Sequence, residues 1–251
     1  MTDLTETLDR RITICARRET VFAYFTDSER FAKWWGEGSH IDPRPGGAVF
    51  IHYPNGITAK GEVVSLEPPR QIVFTYIYGG DVASLVTITL DESEQGTLLH
   101  LHHAFSSAKV RDHFVQGWRY QLALFSKAVA EEEQARASER VDAFLSAWGE
   151  PDAKTRRALM ESCAAPGIVF RDAYSATDGL EDMLANLDAI QVFMPGMTLV
   201  RSGDVRQAHG TAIAPWTAKK ENGDAAGTGV NVFDLSPDGL IERVVGFWDN
   251  S

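Results

Sequence analysis

The chain lacks long hydrophobic runs. Although 44% of its 251 residues are hydrophobic, no apolar stretch approaches the roughly 18 to 20 residues that a membrane-spanning helix needs. Residues 1–11 are polar and lack the apolar segment of a signal peptide. These two absences predict a protein that does not insert into membranes and that resides in the cytoplasm.

Cysteine and cofactor-binding motifs are also scarce. Cys15 and Cys163 are far apart in the sequence, and this pattern favours two reduced thiols over one long-range disulfide. A zinc site needs more nitrogen or sulfur ligands than this pair supplies. Neither a phosphate-binding GxxxxGK[ST] motif nor a dinucleotide-binding GxGxxG motif is present. We therefore predict that the protein uses no metal and no organic cofactor.

Basic residues are fewer than acidic ones. The sequence has 24 Lys and Arg against 35 Asp and Glu, which gives a formal net charge of −11 at neutral pH. A protein that binds nucleic acid presents a basic surface to the phosphates, and anionic membranes attract basic segments for the same reason. The composition therefore predicts that neither nucleic acid nor an anionic membrane surface is a partner.

A charged segment that is poor in large apolar residues occupies residues 130–138. Its residue types favour helix, so we expect a helix end rather than a flexible tether at this point. The sequences on either side do not resemble each other, and no internal repeat is visible. We predict two domains, residues 1–132 and residues 133–251.

The first half has the pattern of a curved sheet covered by one long helix. A strand over 11–16 and two short helices over 19–26 and 28–35 precede five strands, predicted at 48–53, 58–66, 71–78, 84–90 and 97–105. An amphipathic helix follows over 109–132. A single helix about 10 Å wide cannot fill the concave face of a broad curved sheet. The pattern therefore predicts a cavity between helix and sheet, and such a cavity is a natural ligand site.

The second half begins with helices and ends with strands. Helical spacing at residues 141–148 is followed by a second helix capped by Asp152, a strand over 168–172 and a third helix over 179–193. The remaining strands are predicted at 198–201, 205–218, 229–235 and 241–248. This order predicts an α+β cone whose open end is closed by the helices.

Short motifs occur in order along the first half: Pro45-Gly46-Gly47, Gly61, Glu67-Pro68-Pro69, Thr75-Tyr76, Gly96-Thr97, His103-Ala104-Phe105 and residues 113–118. As a set they resemble the chaperone-ATPase-activator branch of the START-like (SRPBCC) superfamily, over about residues 8–130. The resemblance implies a helix-grip fold with a hydrophobic cavity. Many members of that superfamily bind lipids or other apolar molecules without transforming them, so an activity is not implied.

A second set of motifs lies between residues 136 and 251: Trp148-Gly149, residues 169–172, His209-Gly210, Trp216, residues 229–233 and residues 238–241. These resemble the SnoaL-like, ketosteroid-isomerase-like superfamily, which includes isomerases, cyclases, dehydratases, hydrolases and members that only bind. A fold by itself does not determine a function. Since both resemblances imply folds that form cavities, and no catalytic set of residues is visible, we predict the binding of small hydrophobic molecules in both domains. The alternatives are a cofactor-independent isomerase, cyclase or dehydratase acting from the second cone, and a chaperone-associated interaction protein.

Candidate ligand-binding residues in the first domain are aromatic: Trp35, Tyr76, Tyr78 and Trp118. Their alternative role is ordinary core packing. His103 shares a strand face with Leu101 and Phe105, so its imidazole is either a ligand-binding group or base, or a core histidine satisfied by a nearby partner. His100 and His102 alternate to the opposite face, and no cluster of carboxylates accompanies them to complete a metal site.

Candidate catalytic residues in the second domain are Asp172 and His209. A carboxylate inside an apolar cone acquires a raised pKa and can shuttle a proton, whereas the same residue at a strand end often accepts hydrogen bonds from nearby backbone N–H groups. His209 falls on the strand predicted at 205–218, and its direction is left open.

Asn231 alternates with apolar residues on a core-facing row, where it orients a ligand carbonyl or is satisfied by backbone. An aromatic lining is predicted for the same cone from Tyr174, Trp216 and Trp248. Both faces of the strand at 205–218 are fairly apolar, which favours a sheet that is also covered on its outer side. We therefore expect a homodimer.

Overall fold

A computed structural model of the protein describes residues 3–80 and 82–249. The chain separates into two units, residues 1–132 and 133–251. One helix ends at Glu133 and the next begins at Ala137, so only a short turn at residues 134–136 separates them. Each unit has its own hydrophobic core.

Within the described ranges, an antiparallel sheet of seven strands forms the frame of the first unit, with strand order β1-β7-β6-β5-β4-β3-β2. The strands are β1 (Glu6–Ile14), β2 (His40–Ile41), β3 (Ala48–His52), β4 (Thr58–Glu67), β5 (Gln71–Tyr78), β6 (Ser84–Ser93) and β7 (Gly96–Phe105). The helices are α1 (Arg18–Ala23), α2 (Ser28–Trp35) and α3 (Ala108–Glu133).

Alternation along the strands creates the face that α3 covers. In β6, every second residue is buried, including Val86, Ile88 and Leu90. The buried stripe of α3 packs into the same core and contains Phe114, Trp118, Leu122, Phe125 and Val129. This is the helix-grip arrangement expected from the sequence, with the long helix lying across the concave face of the sheet.

The C-terminal end of α3 is held by one carboxylate. Glu132 accepts hydrogen bonds from the Tyr24 hydroxyl at 3.0 Å, the Arg30 Nε at 2.8 Å and the Lys33 Nζ at 2.9 Å. The Tyr24 hydroxyl also lies 2.8 Å from the backbone oxygen of Ala128. These contacts fix α3 against α1 and α2, and they therefore fix the side chains that α3 presents to the sheet.

Within the described ranges, the second unit places three helices against a mixed sheet with strand order β10-β12-β13-β14-β8-β9, and β11 pairs with β12. The helices are α4 (Ala137–Ala147), α5 (Ala153–Cys163) and α6 (Leu180–Phe193). The strands are β8 (Ala164–Arg171), β9 (Ala176–Asp178), β10 (Thr198–Arg201), β11 (Arg206–Ala208), β12 (Thr211–Lys219), β13 (Ala225–Leu235) and β14 (Ile241–Trp248). Asp152 caps α5 as expected, because its carboxylate accepts a hydrogen bond from the Thr155 N–H at 2.8 Å.

The predicted strand over 205–218 is wrong as a single element. The chain turns at His209 and Gly210, so β11 and β12 form a hairpin. Both turn residues have positive φ, 51° and 88°, as the tightest hairpin turns require. The final strand also differs from a pure meander, since β14 pairs in parallel with β8. The residues of this region have a high propensity for strand, but His209 and Gly210 adopt left-handed backbone conformations and reverse the chain.

The α+β fold class predicted from the sequence is confirmed. No helix among the described residues is long and apolar enough to cross a membrane. Cys15 and Cys163 form no disulfide with each other. Cys163 is buried, and burial raises the pKa of its thiol to about 12.

The outer face of the second sheet carries an apolar band. The register places Ile213 beside Val232 and Val232 beside Val245, and Phe247 on the same face is exposed. Such a band is compatible with a covered surface, and the homodimer stays a prediction.

Candidate functional site

A pocket lies in the first unit between α3, the end of α2 and the sheet. Its empty volume is about 400 Å³, part of which is open to solvent. The lining residues are Trp35, Tyr53, Tyr76, Tyr78, His113, Phe114, Gly117, Trp118 and Gln121. Four of the five ligand-binding residues predicted in this domain, the four aromatic ones, are therefore brought together around one space.

The pocket has a buried floor and an exposed rim. Trp35 and Tyr76 are each 2% exposed, whereas His113 and Gly117 on α3 are exposed to solvent. Aromatic rings pack against each other across the floor, with the Trp35 and Trp118 centroids 5.5 Å apart at an interplanar angle of 71°. Such edge-to-face packing makes the floor rigid and apolar.

Two tyrosine hydroxyls supply polarity at one side of the pocket. The hydroxyl groups of Tyr53 and Tyr76 are hydrogen-bonded to each other. Burial raises the pKa of both phenols well above the ordinary value of 10.0. Both side chains are therefore neutral at physiological pH, and they offer hydroxyl groups rather than phenolates to a ligand.

One further polar group of the lining has no partner among the residues that the structure describes. The Trp35 indole nitrogen is buried and makes no hydrogen bond there. Gln121, which is 7% exposed, adds a polar side chain to the same lining. An unsatisfied buried donor costs free energy, because its hydration is lost without replacement. A ligand with a suitable polar group would recover that loss.

His103 is the exception among the predicted ligand-binding residues, because it lies behind the lining and not on it. Its Nδ1 accepts a hydrogen bond from the Trp118 Nε1 at 2.8 Å, and its Nε2 lies 2.8 Å from the Ser84 Oγ. Since an indole nitrogen can only donate, the imidazole proton is on Nε2. Ser84 in turn donates to the backbone oxygen of Tyr76 at 2.8 Å.

This chain of hydrogen bonds gives His103 a positioning role. Burial, with a smaller contribution from His102, lowers the pKa of His103 to about 3, so the imidazole is neutral. Its two ends hold Trp118 on α3 and, through Ser84, the strand that carries Tyr76. Of the two roles that the sequence left open for His103, this arrangement fits a core histidine whose ring nitrogens are hydrogen-bonded to nearby side chains.

His100 and His102 lie on the opposite face of β7 and share one carboxylate. Asp9 accepts from the His100 Nε2 at 3.0 Å and from the His102 Nδ1 at 2.9 Å. The hydrogen bond from His102 is the main cause that lowers the pKa of Asp9. Among the described residues, no group of three or more His, Cys, Asp or Glu side chains has an arrangement that could hold a metal ion.

In the second unit, Asp172 is held in a turn. One carboxylate oxygen accepts from the backbone N–H groups of Tyr174 at 2.8 Å and Ser175 at 2.6 Å. The other accepts from the Trp248 Nε1 at 3.1 Å. Both oxygens therefore have partners, which is the arrangement of a turn carboxylate and not of a proton shuttle facing an apolar cavity.

The predicted aromatic lining of the second cone is divided between core and surface. Trp216 is buried, and its Nε1 donates to the Asn231 Oδ1 at 2.9 Å. The Trp216 ring contacts that of Trp248, with centroids 4.7 Å apart, while Tyr174 is 79% exposed and packs against the outer side of Trp248. Tyr174 and Trp248 border an open cleft beside residues 225–228, whereas Trp216 and Asn231 satisfy each other in the core.

His209 does not point into the cone. It lies in the exposed turn between β11 and β12, with φ of 51°. The strand prediction placed it on an alternating face, and the hairpin removes it from that face. Asp172 lies in a different turn, after β8, and the strand register places Asn231 opposite Ala214 in the middle of β12.

The sequence interpretation missed five lining residues: Tyr53, His113, Phe114, Gly117 and Gln121. A signal for Gln121 was available, because it follows Trp118 at helical spacing and is a polar residue on a buried face of α3. A signal for Tyr53 was also available, because it alternates with the buried residues Val49 and Ile51 on the strand predicted at 48–53.

A comparison with known families matches the first unit. Residues 15–130 match the family described as activator of Hsp90 ATPase homolog 1-like protein. The first domain is similar to this AHSA1 family. The resemblance predicted from its sequence motifs is thereby confirmed, and so is the helix-grip fold that accompanies it.

Solved structures that resemble this chain each match about half of it. A SnoaL-like family protein from Agrobacterium tumefaciens is 25% identical, with a TM-score of 0.43 and coverage of 47% of this chain and 99% of that chain. CalU16 from Micromonospora echinospora is 28% identical, with a TM-score of 0.41 and coverage of 55% and 83%. Ms6760 from Mycobacterium smegmatis is 20% identical, with a TM-score of 0.45 and coverage of 53% and 93%. A comparison with curated proteins finds no match.

Proposed function

We propose that the AHSA1-like domain binds a small, flat, apolar molecule that carries one hydrogen-bonding polar group. The observation that carries this proposal is the pocket on α3, whose lining contains the Trp35 indole N–H, unpartnered among the described residues, and the polar side chain of Gln121. Ligand pockets are typically apolar with a small number of polar groups that fix orientation.

The size and chemistry of the pocket define the ligand class. The enclosed part of the pocket is about 100 Å³, which is smaller than a typical drug-sized site and therefore limits the ligand to a small molecule. The lining includes no Lys, Arg, Asp or Glu, and the tyrosine hydroxyls at its side are neutral. A charged ligand would lose its hydration without gaining a counter-ion. A bicyclic aromatic alcohol or ketone satisfies both conditions.

The test compares two probes of equal shape, 2-naphthol and 2-methylnaphthalene, by isothermal titration calorimetry on the full-length protein. Both are expected to bind, with 2-naphthol tighter by about fivefold, because one hydrogen bond contributes about 1 kcal/mol. Gln121→Leu and Trp35→Phe remove the polar groups and keep the apolar surface. They should reduce the preference for the hydroxylated probe.

The matched control is Trp248→Phe, which removes an indole N–H from the second domain and should leave both affinities unchanged. If neither probe binds saturably to the unmodified protein, the proposal is wrong. It is also wrong if both probes bind and none of the pocket variants changes the ratio of their affinities.

A further inference from the structure

Gly117 is an unexpected residue at its position. It is the tenth residue of the 26-residue helix α3, which begins at Ala108. Glycine destabilises a helix interior relative to alanine, because more backbone entropy is lost when it is ordered. A glycine at this position therefore requires a reason beyond helix formation.

Close packing does not supply that reason. A Cβ atom built on Gly117 would meet no heavy atom within 4 Å. At Gly61, in contrast, an added Cβ would come within 1.7 Å of the Thr75 backbone oxygen. Gly61 is required by the approach of another strand, whereas the side chain missing from Gly117 leaves open space.

That open space is the mouth of the pocket. Gly117 is exposed to solvent and lines the pocket at the same time. The residues one helical turn before and after it, His113 and Gln121, line the same pocket. The His113 ring contacts Tyr78, with centroids 5.7 Å apart, and both residues line the pocket.

We infer that Gly117 is the entry port of the pocket, and that the missing side chain determines which molecules pass. This inference rests on the proposed ligand binding. A gap left by one absent side chain on a helix admits a flat ring presented edge-on, and it excludes branched or globular molecules of equal volume. The rim thus selects by thickness, while Gln121 and Trp35 on the floor select by polarity.

The test measures rates and not only affinity. Stopped-flow mixing of 2-naphthol with the full-length protein gives association and dissociation rate constants for the unmodified chain, Gly117→Ala and Gly117→Leu. In Gly117→Leu both rate constants should fall by roughly tenfold or more, because the leucine side chain stands in the path in both directions. Gly117→Ala should show a much smaller decrease. Both substitutions should raise the melting temperature by about 2–4 °C, because glycine leaves the helix.

The control variant is Gln116→Leu, which adds the same side chain to the neighbouring exposed position outside the lining and should leave both rates unchanged. If Gly117→Leu binds 2-naphthol with the rates of Gly117→Ala, the port is elsewhere. If only its dissociation rate rises, position 117 is part of the wall and the inference is also overturned. Absence of binding to the unmodified protein would instead reject the proposed function itself, so the two failures are distinguishable.

Discussion

The two domains contain similar polar and aromatic groups and use them differently. In the first, Trp35 and Gln121 line a pocket, and the Trp35 indole N–H has no hydrogen-bond partner among the described residues. In the second, Trp216 donates to Asn231, and the corresponding space is occupied by packed rings. The same residue types thus line a pocket in one domain and pack against each other in the core of the other.

The same contrast applies to the titratable candidates. His103 in the first domain and Asp172 in the second both hold a tryptophan through its indole N–H. In the first domain this bond leaves the Trp118 ring as part of the pocket wall, while in the second it fixes Trp248 at the edge of an open cleft. Each of these two titratable groups therefore fixes the position of a tryptophan ring, and only the Trp118 ring lines the pocket of the first domain.

The largest expected effect comes from opening the second domain. Trp216→Ala should lower the free energy of unfolding by about 4 kcal/mol, because a large buried ring is lost and the Asn231 oxygen is left without its donor. The neighbouring glycine fits closely, since a Cβ built on Gly229 would lie 2.5 Å from the Trp216 ring. Urea unfolding measures the loss, and hydrogen exchange of β12 and β13 assigns it to this domain.

Indole sharpens the comparison. If Trp216→Ala creates an apolar cavity in the second domain, comparable to the pocket of the first, indole at saturating concentration should bind there. It should then restore part of the lost stability. Phe247→Ala is the control, because that side chain is exposed on the outer face and its loss should cost little. A cost below 1 kcal/mol for Trp216→Ala, or an equal effect of indole on both variants, would contradict the description of a filled cone.

Much of this fold could be predicted from the sequence, and the reasons are local. The buried stripe of α3 and the alternation of β6 each follow one period, so their positions and buried faces are correctly predicted. The hairpin at His209 was missed because the left-handed conformation there is adopted by a residue other than glycine, which propensity does not indicate. Parallel pairing of β14 with β8 joins strands about 75 residues apart, and no local pattern reports it.

The residues that line the candidate site could be predicted from the sequence in part, but their hydrogen-bond partners could not. Alternation and helical spacing select Tyr76 and Trp118 as inward-facing residues, and both line the pocket. Whether an inward polar group is free depends on which side chain lies opposite, as with His103 opposite Trp118. His103 and Trp118 are 15 residues apart and lie on different elements, so their hydrogen bond depends on the tertiary structure and not on any local pattern. For this reason the sequence left the roles of His103 and Asn231 open.

The next effect tests Asp172 as a structural carboxylate. Asp172→Ala should lower the free energy of unfolding by about 2–3 kcal/mol, because the Trp248 N–H and two backbone N–H groups lose a charged acceptor. Binding of 2-naphthol should be unchanged, since the pocket belongs to the other domain. Urea unfolding and calorimetry measure the two quantities.

Asp204→Ala is the matched control for Asp172, because it removes an exposed carboxylate of the same domain and should change stability by less than about 0.5 kcal/mol. Equal costs for the two substitutions would show that the turn does not depend on Asp172. A loss of 2-naphthol affinity in Asp172→Ala alone would break the separation drawn between the two domains.

The smallest effect is a pH dependence that belongs to the first domain. The pKa of His103 falls from its ordinary value of 6.5 to about 3 in the folded protein, mainly through burial. Between these values the unfolded chain binds a proton that the folded chain does not, so stability is present above pH 6.5 and is lost as the pH falls toward 3. This one group should remove about 2 kcal/mol of stability between pH 7 and pH 5.

His103→Gln has no such proton to bind, and the difference in its unfolding free energy between the two pH values should be smaller by that amount. Ser84→Ala is the companion variant, since it keeps the imidazole and removes the acceptor of its Nε2 proton. Urea unfolding of all three proteins at pH 7 and pH 5 gives the comparison. Parallel pH profiles for the unmodified protein and His103→Gln would mean that the imidazole is protonated in the fold, and the hydrogen bond from the Trp118 N–H to its Nδ1 would then be wrong.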